Sequence, residues 1–197
     1  MARGRRPGNQ DTREAVLAAA REVFADKGYD GASIRAIAAA AGVDPALIHH
    51  YFGTKEQLFV AALRSPVNPA DVLPGVINGD PDRLGERLIR TLLQVWDSPA
   101  GGAAAAMVRS AVTNDTMARM LREFILKRLI TRVLAEVVSD PAEAGVRGTL
   151  VATQIAGLIM IRYLIKVEPL ASAPAEQVVA LVGPTIQRYL TGALPTA

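Results

Sequence analysis

Apolar residues along this chain follow helical spacing, and strict apolar-polar alternation is not found. No Asn-Gly or Asp-Gly pair joins two apolar runs as a hairpin would require. Helix starts stand out instead. Asp44-Pro45, Asp80-Pro81, Ser98-Pro99 and Asp140-Pro141 each pair a capping residue with proline at the first helical position. Glu143 follows Asp140 at the spacing of a capping box, and Asp11 with Glu14 and Thr54 with Gln57 repeat that spacing. The pattern predicts helices over 11–27, 33–41, 45–52, 55–64, 81–96, 99–112, 115–139, 141–167 and 174–190. A proline-rich loop over 65–79 is the one plausible domain boundary. Gly183-Pro184 is expected to kink or break the last helix.

The later helices are apolar over most of their circumference. Met117, Met120, Leu121, Phe124, Ile125, Leu129, Val133, Leu134 and Val137 mark one of them. Leu150, Val151, Ile155, Leu158, Ile159 and then Val178, Val179, Leu181, Val182, Ile186 mark the last two. Such helices must lie centrally or be covered by a partner. A chain this size has little interior for three of them, so a helical dimer interface is expected, with a tight monomeric bundle as the alternative.

At 197 residues the chain makes one compact domain or two small ones. Its 50% hydrophobic and 21% charged content excludes a disordered chain. With no cysteine there is no disulfide, thiolate metal site or cysteine nucleophile. The basic N-terminus is followed by no apolar run, so it is not read as a signal peptide. The uncharged stretch 148–161 is about 21 Å long as a helix, short of a hydrocarbon core of about 30 Å. It reads as a buried helix of a soluble, cytoplasmic protein, with no membrane partner.

The net charge of +3 says little about partners. Its placement says more, because Arg3, Arg5 and Arg6 precede the first acid, Asp11. Such an arm can lie along phosphates or enter a minor groove. The plainer alternative is a solvated tail.

The most informative stretch is 33–52, two short helices meeting at Gly42, where glycine supplies the positive φ of a tight turn. Ala38 is small where the second helix must approach, and Ile34, Ile37, Val43, Ile48 and Phe52 supply apolar contacts. The second helix starts at Asp44-Pro45 and carries Ala46, Leu47, His49, His50 and Tyr51. Helix N-termini aim amides at phosphates. Imidazole and phenol tips suit bases or phosphates, and small apolar tips suit a thymine methyl. Lys55 opens the next helix within reach of a phosphate.

The segments Thr12-Arg13-Glu14-Ala15-Val16-Leu17, Phe24, Gly28, 33–41 and above all Leu47-Ile48-His49-His50-Tyr51-Phe52-Gly53-Thr54-Lys55-Glu56-Gln57-Leu58-Phe59 resemble the DNA-binding domain of TetR-type transcriptional regulators. The resemblance implies an all-α homodimer. Residues 10–70 would form a three-helix DNA-binding domain with its helix-turn-helix over 33–52. Residues 71–197 would form a helical ligand-binding and dimerisation domain, with the last two helices at the dimer interface. It implies that Tyr51, Thr54 and Lys55 grip phosphates. Asp44, Ala46, Leu47, His49 and His50 would face the major groove, and Arg35 would touch the backbone. The Arg3–Arg6 arm would add minor-groove contacts.

Chemistry of other kinds has little support. His49 and His50 are the only histidines and project about 100° apart, so they cannot chelate one ion together. Trp96, Met107, Met120, Phe124, Met160 and Tyr163 are candidates to line an apolar ligand site, with plain core as the alternative for each. Arg109, Gln154 and Arg162 interrupt apolar stretches, where a salt bridge or a ligand anchor would explain them. No Gly-x-Ser-x-Gly, phosphate-loop, Gly-x-Gly-x-x-Gly or His-Glu-x-x-His motif is present, and no catalytic residue, metal or cofactor is implied. The expected function is a repressor on double-stranded inverted-repeat DNA, released by a small-molecule effector. The competing reading is a small-molecule-binding or enzymatic helical bundle whose N-terminal hairpin is purely structural. DNA binding separates the two.

Overall fold

The computed structural model describes residues 8–138 and 140–194. The Arg3, Arg5 and Arg6 arm lies outside them. Every regular element among the described residues is helical. They fall into two compact units, one of the residues up to Ser65 with Met107–Glu123, the other of Pro66–Ala106 with the residues from Phe124 on.

The N-terminal unit contains α1 (Gly8–Gly31), α2 (Ile34–Ala41), α3 (Pro45–Phe52) and α4 (Lys55–Leu63). It also takes the second half of α7 (Gly101–Thr113) and α8 (Asp115–Glu123). α1 is already helical at Gly8, so Asp11 sits inside the helix and not at the cap expected for it. Gly28, at φ 68°, breaks the helical geometry near the end. Phe24, Tyr29 and Phe59 form an aromatic cluster, with Phe24 edge-on to Phe59 at 4.9 Å and Tyr29 edge-on to it at 5.3 Å. α8 packs on α1 and α4 and buries Met117 and Met120. It therefore belongs by contact to the first unit, although it lies far beyond the expected boundary at 70.

The C-terminal unit contains α5 (Pro69–Ile77), a 3₁₀ turn (Pro81–Arg83), α6 (Leu84–Trp96) and the start of α7. The chain returns to it through a π-helical segment (Phe124–Ile130), α9 (Thr131–Leu134) and α10 (Pro141–Ile159). A second π-helical segment (Met160–Ile165) and α11 (Ala175–Thr191) complete it. The stretch 65–79 is thus not the loop expected. Asn68 caps α5 by accepting from the Ala70 amide, and Leu73 and Val76 are buried. That burial compensates for the hydrogen bond lost at Pro74. The single helix expected over 115–139 is divided, because its middle winds as a π-helix and it ends at Leu134.

α6 and α11 pack most closely. A Cβ on Gly85 would strike the Gly183 carbonyl, and one on Gly183 would lie 3.1 Å from Glu86 Cα. The Gln187 side chain accepts from the Gly85 amide at 2.8 Å and donates to the Pro81 carbonyl at 3.0 Å. Arg90 grips Glu176 through two hydrogen bonds of 2.9 and 2.8 Å, and that partner holds the Glu176 carboxyl below its ordinary range. The kink expected at Gly183-Pro184 does not break the helix, which runs through to Thr191. The glycine serves close approach instead.

The stretch 148–161 is not the buried helix expected. Val146, Thr149, Thr153, Ala156, Gly157 and Met160 share one face at helical spacing, and all are exposed. The helical run Glu143–Ile165 is long and apolar enough to cross a membrane by length and composition alone, with 22% of its apolar window buried.

Candidate nucleic-acid interface

Backbone capping sets the geometry of the α2–α3 hairpin. Ser33 Oγ accepts from the Ala36 amide at 3.1 Å and starts α2. Gly42, at φ 65°, ends it, and the Val43 amide donates to the Ala38 carbonyl at 3.0 Å. Beyond its chain neighbours nothing lies within 4 Å of a Cβ placed on Gly42, so the turn needs glycine for its φ and not for space. Asp44 Oδ1 then accepts from the Ala46 amide at 2.7 Å, with Pro45 at the first helical position. The carboxylate expected to face a groove thus spends one oxygen as a helix cap.

Ile37, Ala38, Ile48 and Phe52 are buried between these helices and their neighbours. Burying Ile48 and Phe52 turns the opposite side of α3 outward. Ala46, His49 and His50 are exposed, while Leu47 and Tyr51 are half-buried at the edges of that face. Arg35 is exposed on α2. His49 Nδ1 lies 2.8 Å from the Gly53 carbonyl oxygen, and the His50 and Tyr51 rings lie 5.5 Å apart at a tilt of 56°.

α3 ends at Gly53, whose φ of 74° favours glycine, and a Cβ there would strike the Gln57 side chain. Thr54 and Gln57 close a full capping box. The Gln57 amide donates to Thr54 Oγ1 at 3.2 Å, and the Thr54 amide donates to Gln57 Oε1 at 2.8 Å. Lys55 follows at the start of α4. Its ammonium lies 4.4 Å from the Tyr29 ring centroid and 3.5 Å from the Asp30 carbonyl oxygen. The end of α1 therefore holds the Lys55 ammonium at the start of α4. Sequence reading missed Tyr29 in this role, and also Arg13, whose guanidinium stands 5.1 Å from the Phe52 ring. Both contacts join residues far apart in the chain, so no local signal marks them.

The candidate ligand residues are dispersed between the units. Met107 and Met120 belong to the N-terminal unit, half-buried and fully buried respectively. Phe124, Trp96, Tyr163 and Met160 belong to the C-terminal unit, where Phe124 is buried and Met160 exposed. Trp96 and Tyr163 do meet, stacked at 5.0 Å. The Tyr163 hydroxyl donates to Asp97 Oδ1 at 2.8 Å. Burial first, and then this bond, push the phenol up to about 12. Arg162 is buried and donates to the Leu170 and Ala173 carbonyls at 2.6 and 2.9 Å, with Asp97 at 3.9 Å. Backbone carbonyls are its nearest partners, and the salt bridge expected for it is made to Asp97. Gln154 is half-buried and Arg109 exposed. Among the described residues no three His, Asp or Glu side chains gather as a metal site.

Comparison with known proteins bears on both units. A sequence model described as bacterial regulatory proteins of the tetR family matches residues 16–62. A second, described as the tetracyclin repressor-like C-terminal domain, matches residues 82–190. The HTH-type transcriptional regulator BetI of Rhizobium meliloti is 51% identical over 53 residues, 27% of this chain and 26% of that protein. The HTH-type transcriptional repressor AcnR of Corynebacterium glutamicum is 42% identical over 64 residues, 32% of this chain and 33% of that protein. The chain thus matches about a quarter to a third of the length of these curated relatives. The crystal structure of a TetR-family regulator from Streptomyces coelicolor is 37% identical and covers 95% of this chain and 99% of that one, with a TM-score of 0.46.

Proposed function

The chain belongs to the TetR family of bacterial regulatory proteins, and on that premise we propose that it is a homodimeric, sequence-specific repressor of transcription in the cytoplasm. The observation that carries the reading is the outward face of α3, where Ala46, His49 and His50 stand free of the core that Ile48 and Phe52 anchor. Leu47 and Asp44 complete the groove-facing set. Tyr51, Thr54, Lys55 and Arg35 flank it as phosphate contacts. Two copies of α3 would enter successive major grooves of an inverted repeat, with half-sites about 10–10.5 bp apart or somewhat more. The repressor named among the relatives supports that sign of regulation.

Dimerisation is supported by the uncharged exposed face of α10 and by apolar side chains left bare on the C-terminal unit. Val146 is 56% exposed, Ile165 60% and Leu181 65%. A second copy of this chain would cover them, which also accounts for an apolar helix so little buried. An effector bound within the C-terminal unit, where Trp96 and Tyr163 stack, would release the operator. It can shift the equilibrium only by its difference in affinity for the two states.

Selection from a random duplex pool tests the reading, with the Lys55→Ala variant alongside. An enriched inverted repeat whose binding depends on Lys55 is the expected result. No enrichment at low salt from a folded protein would overturn it.

A further inference from the structure

His49 lies on the exposed face of α3, one turn before the Gly53 cap, and the two residues are tied twice. The Gly53 amide donates to the His49 carbonyl at 2.9 Å, and the Gly53 carbonyl lies 2.8 Å from His49 Nδ1. A carbonyl oxygen can only accept, so the proton of the second bond belongs to Nδ1. The backbone fixes where that carbonyl points. Gly53 takes a φ of 74°, and Gln57, bound to the Thr54 amide, closes the space a side chain would need. With Nδ1 committed as a donor, a neutral ring offers the groove one polar atom, Nε2, and that atom is an acceptor.

This restricts what the ring can read. Major-groove edges are rich in acceptors: guanine O6 and N7, adenine N7 and thymine O4. Their donors are the exocyclic amines, N6 of adenine and N4 of cytosine. We propose that His49 is a specificity-determining residue that accepts, through Nε2, a hydrogen bond from the exocyclic amine of an adenine or cytosine. Guanine N7 and O6 would then face a lone pair and be rejected. The proposal rests on the reading of α3 as the recognition helix.

Two measurements test it. Long-range proton–nitrogen NMR of the free protein at pH 8 reads the tautomer directly, with His49→Gln identifying which ring signals belong to His49. Protonated Nδ1 is expected, and an Nε2-protonated ring would overturn the proposal. The second measurement uses operator duplexes in which single bases lose one group. Purine in place of adenine, or 2-pyrimidinone in place of cytosine, removes the amine, and a 7-deazapurine removes N7. At one base, loss of the amine should weaken wild-type binding about three- to tenfold, the worth of one hydrogen bond. The same change should add almost nothing in His49→Ala, while 7-deaza substitution there is harmless. His49 coupled to an N7, or to no amine anywhere in an enriched operator, would overturn this proposal and leave the DNA-binding reading standing. Failure to enrich any operator would overturn both.

Discussion

Lys55 shows how one side chain is placed by distant parts of the chain. Its ammonium rests over Tyr29 and by the Asp30 carbonyl at the end of α1, while its backbone opens α4. Lys55→Ala should weaken binding to all duplexes alike and lower the salt slope by about one, since one phosphate contact is lost. A titration at several salt concentrations checks this, and an unchanged slope would count against the phosphate role. Thr54→Ala should lower stability by about 1 kcal/mol in thermal melts, because the cap on the Gln57 amide is lost. Tyr163 gives a prediction in pH. Its folded value of about 12 exceeds the ordinary 10.0, so its proton is held more tightly in the folded state. That contribution is whole below pH 10 and disappears as pH rises toward 12. Melting curves across this window should therefore fall more steeply for the native protein than for Tyr163→Phe. The Asp44, Thr54 and Gln57 caps were legible in the sequence because they act within three residues. Tyr29 under Lys55 was not, because only the folded N-terminal unit brings them together.

The α6–α11 pair carries the same lesson for whole elements. Gly183-Pro184 looks like a helix break when read locally. In the fold α11 runs on, and Gly183 and Gly85 let two backbones come into contact. Gly85→Ala or Gly183→Ala should cost about 1–3 kcal/mol by overpacking, read as a lowered denaturation midpoint. Gly42→Ala is a contrasting case, since its Cβ meets nothing and only the positive φ is strained. About 1–2 kcal/mol is expected there, and a neutral result would mean that the turn adopts another geometry. The helix α5 was hidden by its prolines, because burial of Leu73 and Val76 outweighs a propensity penalty. The π-helical segments were hidden for another reason. Their apolar residues fit an α-helical period closely enough that the change of winding leaves no mark in the pattern.

At the scale of the whole molecule, the proposed dimer accounts for the bare face of α10 and the exposed Leu181 on α11. Leu181→Arg should convert a dimer into monomers by sedimentation and reduce operator affinity in step, since one half-site alone keeps only part of the contacts. A native protein already monomeric at micromolar concentration would sink the dimer. The apolar excess of the last helices was visible in the sequence. Which of their faces stays uncovered was not, since that depends on which neighbours the fold supplies.

The all-α class, the hairpin turning at Gly42, the outward set on α3 and the box at Thr54 were determined by the sequence itself. Each depends on residues within a few positions of one another, where capping, glycine φ and helical period act directly. The membership of α8 in the N-terminal unit, the close approach at Gly183, the seat of Lys55 on Tyr29 and the open face of α10 were decided only by tertiary structure. These depend on contacts between residues distant in the chain, and no local preference encodes them.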